Sequence, residues 1–311
     1  MQPVLEIGGT HVTAAMVDLS TGAVHGEPVR EPLSPQGPAE EILGRLALTA
    51  SRLGAPPSVT WGVAVPGPFD YEDGVALFEG VGKFDALYGT DVGAALCARI
   101  RPTPAGLRFV NDADAFGLGE HTRGAAAGHA RAICLTLGSG VGSAFLADGM
   151  PVNDGPEVPP EGSAHRLTFD GRPLEETVSR RAIRSAYARA ACVRAAGGDQ
   201  DGVPDVQGIA SRARAGDALA GRVLDHAFRA LGVAAAPWAT RFAATVLVVG
   251  GSIAGSWDLV MAPLRGGLAD GGAPGLRLAP ARLPDTASLL GAARWAASRA
   301  SHGEEIQDVR L

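Results

Sequence analysis

Val4, Leu5 and Ile7 lead into Gly8-Gly9, and a second apolar run continues through Met16 and Val17 to a turn at Ser20 to Gly22, the pattern of a β-hairpin with a glycine-rich connection. Over residues 39–53, Ile42, Leu43, Leu46 and Leu53 fall at helical spacing, and VTWGVAVPGPFD then forms an apolar strand ended by Pro66-Gly67-Pro68. DVGAALCARI predicts a second amphipathic helix. It is followed by the short strand LRFV, the dipeptide Asn111-Asp112 and an alanine-rich helical segment, ADAFGLGEHTRGAA. ARAICLTLGSGVGSAFLADG then repeats the strand, glycine turn and strand of the N-terminus about 130 residues on. Residues 149–175 are rich in Pro and Gly and read as one long loop. Helices are expected at Leu174 to Ala196, Gly208 to Ala215 and Asp217 to Trp238. After them come the buried strand and glycine turn of RFAATVLVVGGSIAGSW, a helix around Leu259 to Leu268 and a closing helix, SLLGAARWAASRA.

This alternation is that of an α/β protein, and 311 residues exceed the size at which one hydrophobic core keeps growing, so two domains are expected. The boundaries fall at residues 1–116, joined by a C-terminal helix at about 287–311, and 117–286. The formal charge of −6 provides no basic field for nucleic acid or anionic lipid, which leaves a small-molecule ligand as the expected partner. Lys83 is the only lysine among 27 basic residues, as a coding bias toward arginine would produce. Cys97, Cys134 and Cys192 lie far apart and form no CxxC pair, so no disulfide framework or cysteine zinc site is expected. The N-terminus enters its first strand without a basic or long apolar leader, and nowhere do 18 apolar residues run together; the expected location is the cytoplasm, with no membrane partner.

Three glycine turns follow apolar strands: Gly8-Gly9-Thr10, Gly138-Ser139-Gly140-Val141-Gly142 and Gly250-Gly251-Ser252. Glycine lets backbone N–H groups approach phosphate oxygens, and Thr10 or Ser139 can add a hydroxyl donor, although a tight hairpin alone also requires glycine. Their order along the chain suits a nucleotide triphosphate held from both sides of a cleft. A P-loop is excluded because Leu77 and Phe84 occupy the glycine and hydroxyl positions around Gly82-Lys83, and GSGVGS leads into a strand where a dinucleotide fingerprint needs a helix. Asn111-Asp112, between a strand and a helix, presents a carboxylate at the C-terminal end of a sheet. There it can take a proton from an attacking hydroxyl or merely cap the helix. VVGGSIA fails as a serine-hydrolase elbow because Ala254 replaces the final glycine.

Taken together these residues resemble the ROK family (repressors, open reading frames and kinases) of the hexokinase, Hsp70 and actin superfamily. The family's D-x-G-G-T loop is matched by Glu6-Ile7-Gly8-Gly9-Thr10, with Glu for Asp, and its N-D-A-N-A-A-A-L-G-E stretch by Asn111 through Glu120. Leu137 to Gly142 is similar to the second phosphate loop, Val248 to Ala254 to the adenosine turn and Leu290 to Ala293 to the terminal G-A-A helix. The resemblance implies a two-domain actin-like ATPase (ribonuclease H-like) fold, with nucleotide and substrate in a cleft between the domains. It also implies ATP and Mg²⁺, with Asp112 as general base and Asn111 on the sugar. Glu6, Gly8, Gly9, Thr10, Thr13, Gly138, Ser139, Gly140, Gly250, Gly251 and Ser252 would then line the nucleotide, with Glu6 near the metal.

Family substrate ligands from G-E-x-G-H and C-x-C-G-x-x-G-C-x-E motifs fall unevenly on Glu161, His165 and Glu175. Glu161 lies four residues before His165 where the family has three, and no cysteine separates His165 from Glu175, so no structural zinc is expected. The resemblance implies an ATP-dependent kinase of a hexose hydroxyl, glucokinase-like, and a homodimer. The remodelled stretch leaves a cyclitol or modified sugar of secondary metabolism, or a non-catalytic sugar sensor, as alternatives. A ROK-type repressor fits poorly, because the first phosphate-loop strand begins at about Val4 and the net charge is acidic.

Overall fold

A computed structural model describes residues 1–191 and 202–298. In chain order the strands are β1 (Gln2–Ile7), β2 (His11–Val17), β3 (Val24–Pro32), β4 (Thr60–Val65), β5 (Phe69–Asp70), β6 (Val75–Ala76), β7 (Gly106–Asn111), β8 (Arg131–Leu137), β9 (Val141–Ala147), β10 (Met150–Pro151), β11 (Thr168–Phe169), β12 (Arg172–Pro173), β13 (Val246–Gly250) and β14 (Arg277–Pro280). The helices are α1 (Ala39–Arg52), α2 (Val92–Arg99), α3 (Asp112–Arg123), α4 (Glu175–Val178), α5 (Arg180–Ala190), α6 (Val206–Arg214), α7 (Ala218–Arg241), α8 (Trp257–Asp270) and α9 (Ala287–Ser298). The chain divides into two compact units, one of Met1–Arg123 together with the segment from Asp285 onward, the other of Gly124–Pro284.

The first unit is built on a five-stranded sheet in the order β3-β2-β1-β4-β7. β1 and β2 are antiparallel, with Glu6 opposite Thr13 and Ile7 opposite Val12, whereas β4 runs parallel to both β1 and β7. β4 is buried from Trp61 to Val65, as its unbroken apolar run requires of a central parallel strand. Ile42, Leu43 and Leu46 of α1 pack with Leu5, Trp61 and Val63 into one core, and the Asp91 carboxylate caps α2 by accepting from Ala94 N at 2.7 Å. β3 extends the hairpin beyond what the apolar pattern indicates. Its VHGEPVREP sequence is mostly exposed, and Glu31 pairs with Arg45 and Arg52, as suits an edge strand guarded by charge and proline.

In the same unit α3 and α9 cross so closely that a Cβ on Gly119 would strike the Ala287 carbonyl and one on Gly291 the Ala115 carbonyl. These glycines are needed because only a missing side chain lets the two backbones approach this far. The crossing anchors α3, whose first residue is Asp112.

The second unit has a five-stranded sheet in the order β10-β9-β8-β13-β14 and its own core, with Ile133, Leu135, Phe145, Phe228, Leu247 and Leu264 among the buried residues. α7 and α8 repeat the glycine device: a Cβ on Gly232 would meet the Leu264 carbonyl and one on Gly267 the Arg229 carbonyl. The helix expected from Leu174 to Ala196 is broken at Ser179, which is extended at φ −70° and ψ 159° and accepts from Ala182 N at 3.2 Å as the cap of α5. The end of that expected helix and Cys192 lie outside the described residues, as do the last residues of the closing helix. The expected 149–175 loop contains β10, the β11–β12 pair and short 3₁₀ turns at Pro160–Gly162 and Ala164–Arg166. No helix among the described residues is long and apolar enough to cross a membrane.

Candidate active site

In the first unit the ends of neighbouring parallel strands gather the chemistry. β7 finishes at Asn111 opposite Val65, the last residue of β4, and the chain turns directly into α3. Asn111 Oδ1 accepts from Ala113 N at 2.9 Å and from Asp114 N at 3.3 Å, which caps the helix and fixes which end of the amide points inward. The other end, Nδ2, donates to Tyr71 Oη at 2.8 Å. Asp112 Oδ1 accepts from Ala113 N at 2.8 Å, so this carboxylate is held at the first turn of the helix.

Burial pushes the Asp112 carboxyl above the ordinary carboxylate range, while the Lys83 charge and the Ala113 N–H pull it back. Glu6, near the end of β1, is raised for the same first reason; a hydrogen bond from the Ser288 side chain lowers it, the Asp112 charge raises it and Arg30 lowers it. Two partly desolvated carboxylates therefore oppose each other electrostatically, with Lys83 and Arg30 as the balancing cations. After Glu6 the chain turns at Gly8, whose N–H donates to His11 O at 2.9 Å, leaving Gly9 and Thr10 exposed at the tip. Thr10 Oγ1 lies 2.9 Å from His11 Nδ1, and Thr13 sits on β2 across from Glu6.

The second unit brings its two glycine turns together. Gly251, at φ +83°, runs so close to Leu137 that a Cβ would strike its backbone, and Ile253 N donates to Leu137 O at 3.2 Å. The Gly250-Gly251-Ser252 turn thus abuts the Gly138-Ser139-Gly140 turn. Ser139 is exposed at its tip, and Arg180 N donates to Gly138 O at 2.9 Å. Half-buried Glu175 starts α4 with its carboxylate over Gly140, where an added Cβ would collide with Oε1. His165 is exposed in the Ala164–Arg166 turn. Glu161, at φ +58°, is also exposed and pairs with Arg166 Nη2 at 2.6 Å. Unit one therefore collects Glu6, Thr13, Asn111 and Asp112, and unit two collects the remaining turns with Glu175.

Four contributors were not singled out by motif. Tyr71, Ser288, Arg30 and Lys83 reach these groups from a hairpin, the closing helix, an edge strand and a loop. Nothing in their local sequence signals it.

The duplicated sheet, with acids at strand ends in one copy and paired glycine turns in the other, defines the two-domain actin-like ATPase fold. The chain belongs to the ROK family, whose model matches residues 4–299. It is similar to a glucokinase of Thermotoga maritima, 25% identical over 310 residues that cover 93% of this chain and 95% of that one. A ROK hexokinase from Thermus thermophilus superposes with a TM-score of 0.76 at 26% identity, covering 97% of this chain and 99% of that one. An inorganic polyphosphate/ATP-glucomannokinase from Arthrobacter sp. strain KM matches at 27% identity and a TM-score of 0.66, covering 96% of this chain and all of that one (100%).

Proposed function

We propose that this carbohydrate kinase transfers the γ-phosphoryl group of ATP to a hydroxyl of a hexose, with Asp112 as general base. The observation that carries this reading is Asp112 itself: a carboxylate fixed at a strand-to-helix junction, desolvated enough to sit above the ordinary range, beside an amide whose orientation its own helix cap determines. A base works best when its affinity for protons approaches that of the medium, so a raised carboxyl accepts a hydroxyl proton more readily than an ordinary one. The similarity to a glucokinase, a ROK hexokinase and an ATP-using glucomannokinase supports a hexose acceptor and ATP as donor.

In this reading Asn111 binds sugar hydroxyls and Asp112 orients and deprotonates the acceptor. Glu175 and His165 are further candidate sugar ligands, with Glu161 at most bracing its loop through Arg166. Backbone N–H groups of Gly8 to Thr10, Gly138 to Gly140 and Gly250 to Ser252 hold the nucleotide, helped by Thr13. Transfer of a phosphoryl group depends mainly on such positioning and on charge stabilisation. The donor set also fits Mg²⁺. This ion binds through one or two carboxylates together with substrate phosphates, and Glu6 and Asp112 supply two oxygen-bearing groups whose mutual repulsion a cation would relieve. Among the described residues no three acidic, His or Cys side chains gather to cage an ion, so one would depend on the nucleotide's oxygens. Glu6 is the side chain that would hold it, and the ion would neutralise phosphate charge. A homodimer is part of the same proposal.

The test is ADP release from magnesium-ATP by the purified protein across hexoses, amino sugars and cyclitols, beside Asp112→Asn. Turnover with hexoses that disappears in the variant supports the reading. Turnover confined to cyclitols would reassign the substrate class, and sugar binding without turnover would make the protein a sensor.

A further inference from the structure

The amide of Asn111 is held at both ends. Its oxygen accepts from the Ala113 and Asp114 N–H groups, and one hydrogen of Nδ2 goes to Tyr71 Oη at 2.8 Å. With three of its four hydrogen-bonding positions engaged, the direction of the remaining Nδ2–H is fixed. The chain builds this on purpose-made local structure. β4 ends at Val65 beside Asn111, the Pro66-Gly67-Pro68 turn leaves the sheet, and the β5–β6 pair swings back with Tyr71 at its tip.

That tip is rigid. Asp70 Oδ1 accepts from Glu72 N and Asp73 N, both at 3.0 Å, and Gly74 N closes the turn on Asp70 O at 2.9 Å. The Tyr71 ring packs on Phe69 with centroids 5.5 Å apart, and Phe69 in turn packs at a tilt against Phe109 of β7, with centroids 5.0 Å apart. Tyr71 Oη is also 3.5 Å from Val65 O, so it sits over the junction of β4 and β7. Gly67 borders the pair: a Cβ there would lie 3.3 Å from Tyr71 Oη and 3.9 Å from Asn111 Nδ2. A side chain at this position would crowd the Tyr71 hydroxyl.

We propose that Tyr71 is a positioning residue for sugar selection: its hydroxyl holds the Asn111 amide, and the N–H left over discriminates between epimers of the acceptor. This rests on the reading that Asn111 faces the sugar. It goes beyond it by assigning the discrimination to a hairpin residue that no motif marks. An amide free to pivot would serve several hydroxyl configurations, whereas a clamped one serves the configuration that meets its fixed direction.

Tyr71→Phe removes one oxygen and keeps the ring on Phe69. Its KM and kcat are measured for the best hexose and that hexose's epimers, together with KM for ATP, the melting temperature and calorimetric sugar affinity of wild type and variant. The sugar KM and Kd are expected to rise about five- to ten-fold, as loss of one net hydrogen bond gives. The epimer preference is expected to narrow by a similar factor, with kcat, KM for ATP and melting temperature essentially unchanged. Unchanged sugar affinity and epimer preference would overturn the proposal, and so would a parallel loss of kcat, ATP affinity and stability. Because Asp112→Asn tests the kinase reading separately, an unmoved Tyr71→Phe beside an inactive Asp112→Asn removes only this inference. Absence of any sugar binding to wild type removes both.

Discussion

The two sheets share one plan and differ in chemistry. In each, an antiparallel hairpin with a glycine turn (β1–β2, β8–β9) carries a third antiparallel strand on one side (β3, β10) and two parallel strands on the other (β4 and β7, β13 and β14). Two residues before the turn glycine, the first sheet has Glu6 and the second Thr136. The last parallel strand ends in Asn111 followed by Asp112 in the first, but in Pro280 followed by Ala281 and Arg282 in the second. Duplicated architecture therefore supplies two sets of backbone turns, and carboxylates stand at these two equivalent positions in the first set only. Burial raises those two acids, whereas Asp217 and Asp258 of the second unit are lowered, Asp217 chiefly by the Ala220 N–H it caps and Asp258 by Arg214. Asp217 and Asp258 thus stabilise their helices as Asp91 does in the first unit, whereas Glu6 and Asp112 are held at a cost to stability.

The strongest way to break this contrast is Asp112→Asn. As the proposed base, its loss should lower kcat by roughly 10²- to 10⁴-fold while leaving KM for ATP nearly unchanged. The same variant should melt higher than wild type at neutral pH. A carboxyl with a raised folded pKa contributes stability that is fully present below its unfolded value, here 3.8, and is lost as pH rises through the folded value. The variant's advantage should therefore vanish toward pH 4 and grow above it, as followed by thermal melts across pH. An inactive variant less stable than wild type at neutral pH would show Asp112 to be structural.

Next in size is the comparison of glycine crossings. Gly291→Ala forces a Cβ onto Ala115 O, and Gly267→Ala forces one onto Arg229 O. Either should cost about 1–3 kcal/mol, or about 2–10 °C in melting temperature. Only Gly291→Ala displaces α3, the helix that begins at Asp112, so only that variant should also lose kcat. Equal kinetic effects from both would mean that the site is not anchored by its own crossing.

Much of this was legible in the sequence, for identifiable reasons. The central strands are apolar throughout, and the glycine turns and Asn111-Asp112 stand at element boundaries where composition changes abruptly. β3 and β14 were not visible, because edge strands need no continuous apolar face and β3 has three internal charges and two prolines. The break at Ser179 was hidden because the apolar spacing continues across it and the cap competes locally. Tyr71, Ser288, Arg30 and Lys83 reach the site through tertiary contacts, which a linear motif does not encode. The uneven Glu161 and His165 spacing has a structural counterpart in the positive φ of Glu161 and the consecutive 3₁₀ turns.

Smaller effects sharpen the contrast within the second unit. Gly140→Ala pushes the Glu175 carboxylate away from the turn, a flexible group that can move, so stability should hold while KM for ATP and sugar rise together about five-fold, read by steady-state kinetics. The least should come from Glu161→Ala. Its carboxylate is 68% exposed and its partner Arg166 49% exposed, and ion pairs of this kind contribute only about 0–1 kcal/mol. The positive φ of Glu161 gives alanine no advantage, so a melting temperature within about 2 °C of wild type and a sugar KM within about two-fold are expected. A rise in sugar KM as large as that from Glu175→Gln, with melting unchanged, would instead place the Glu161 carboxylate on the substrate, and the Asn111 clamp would then not select sugars alone.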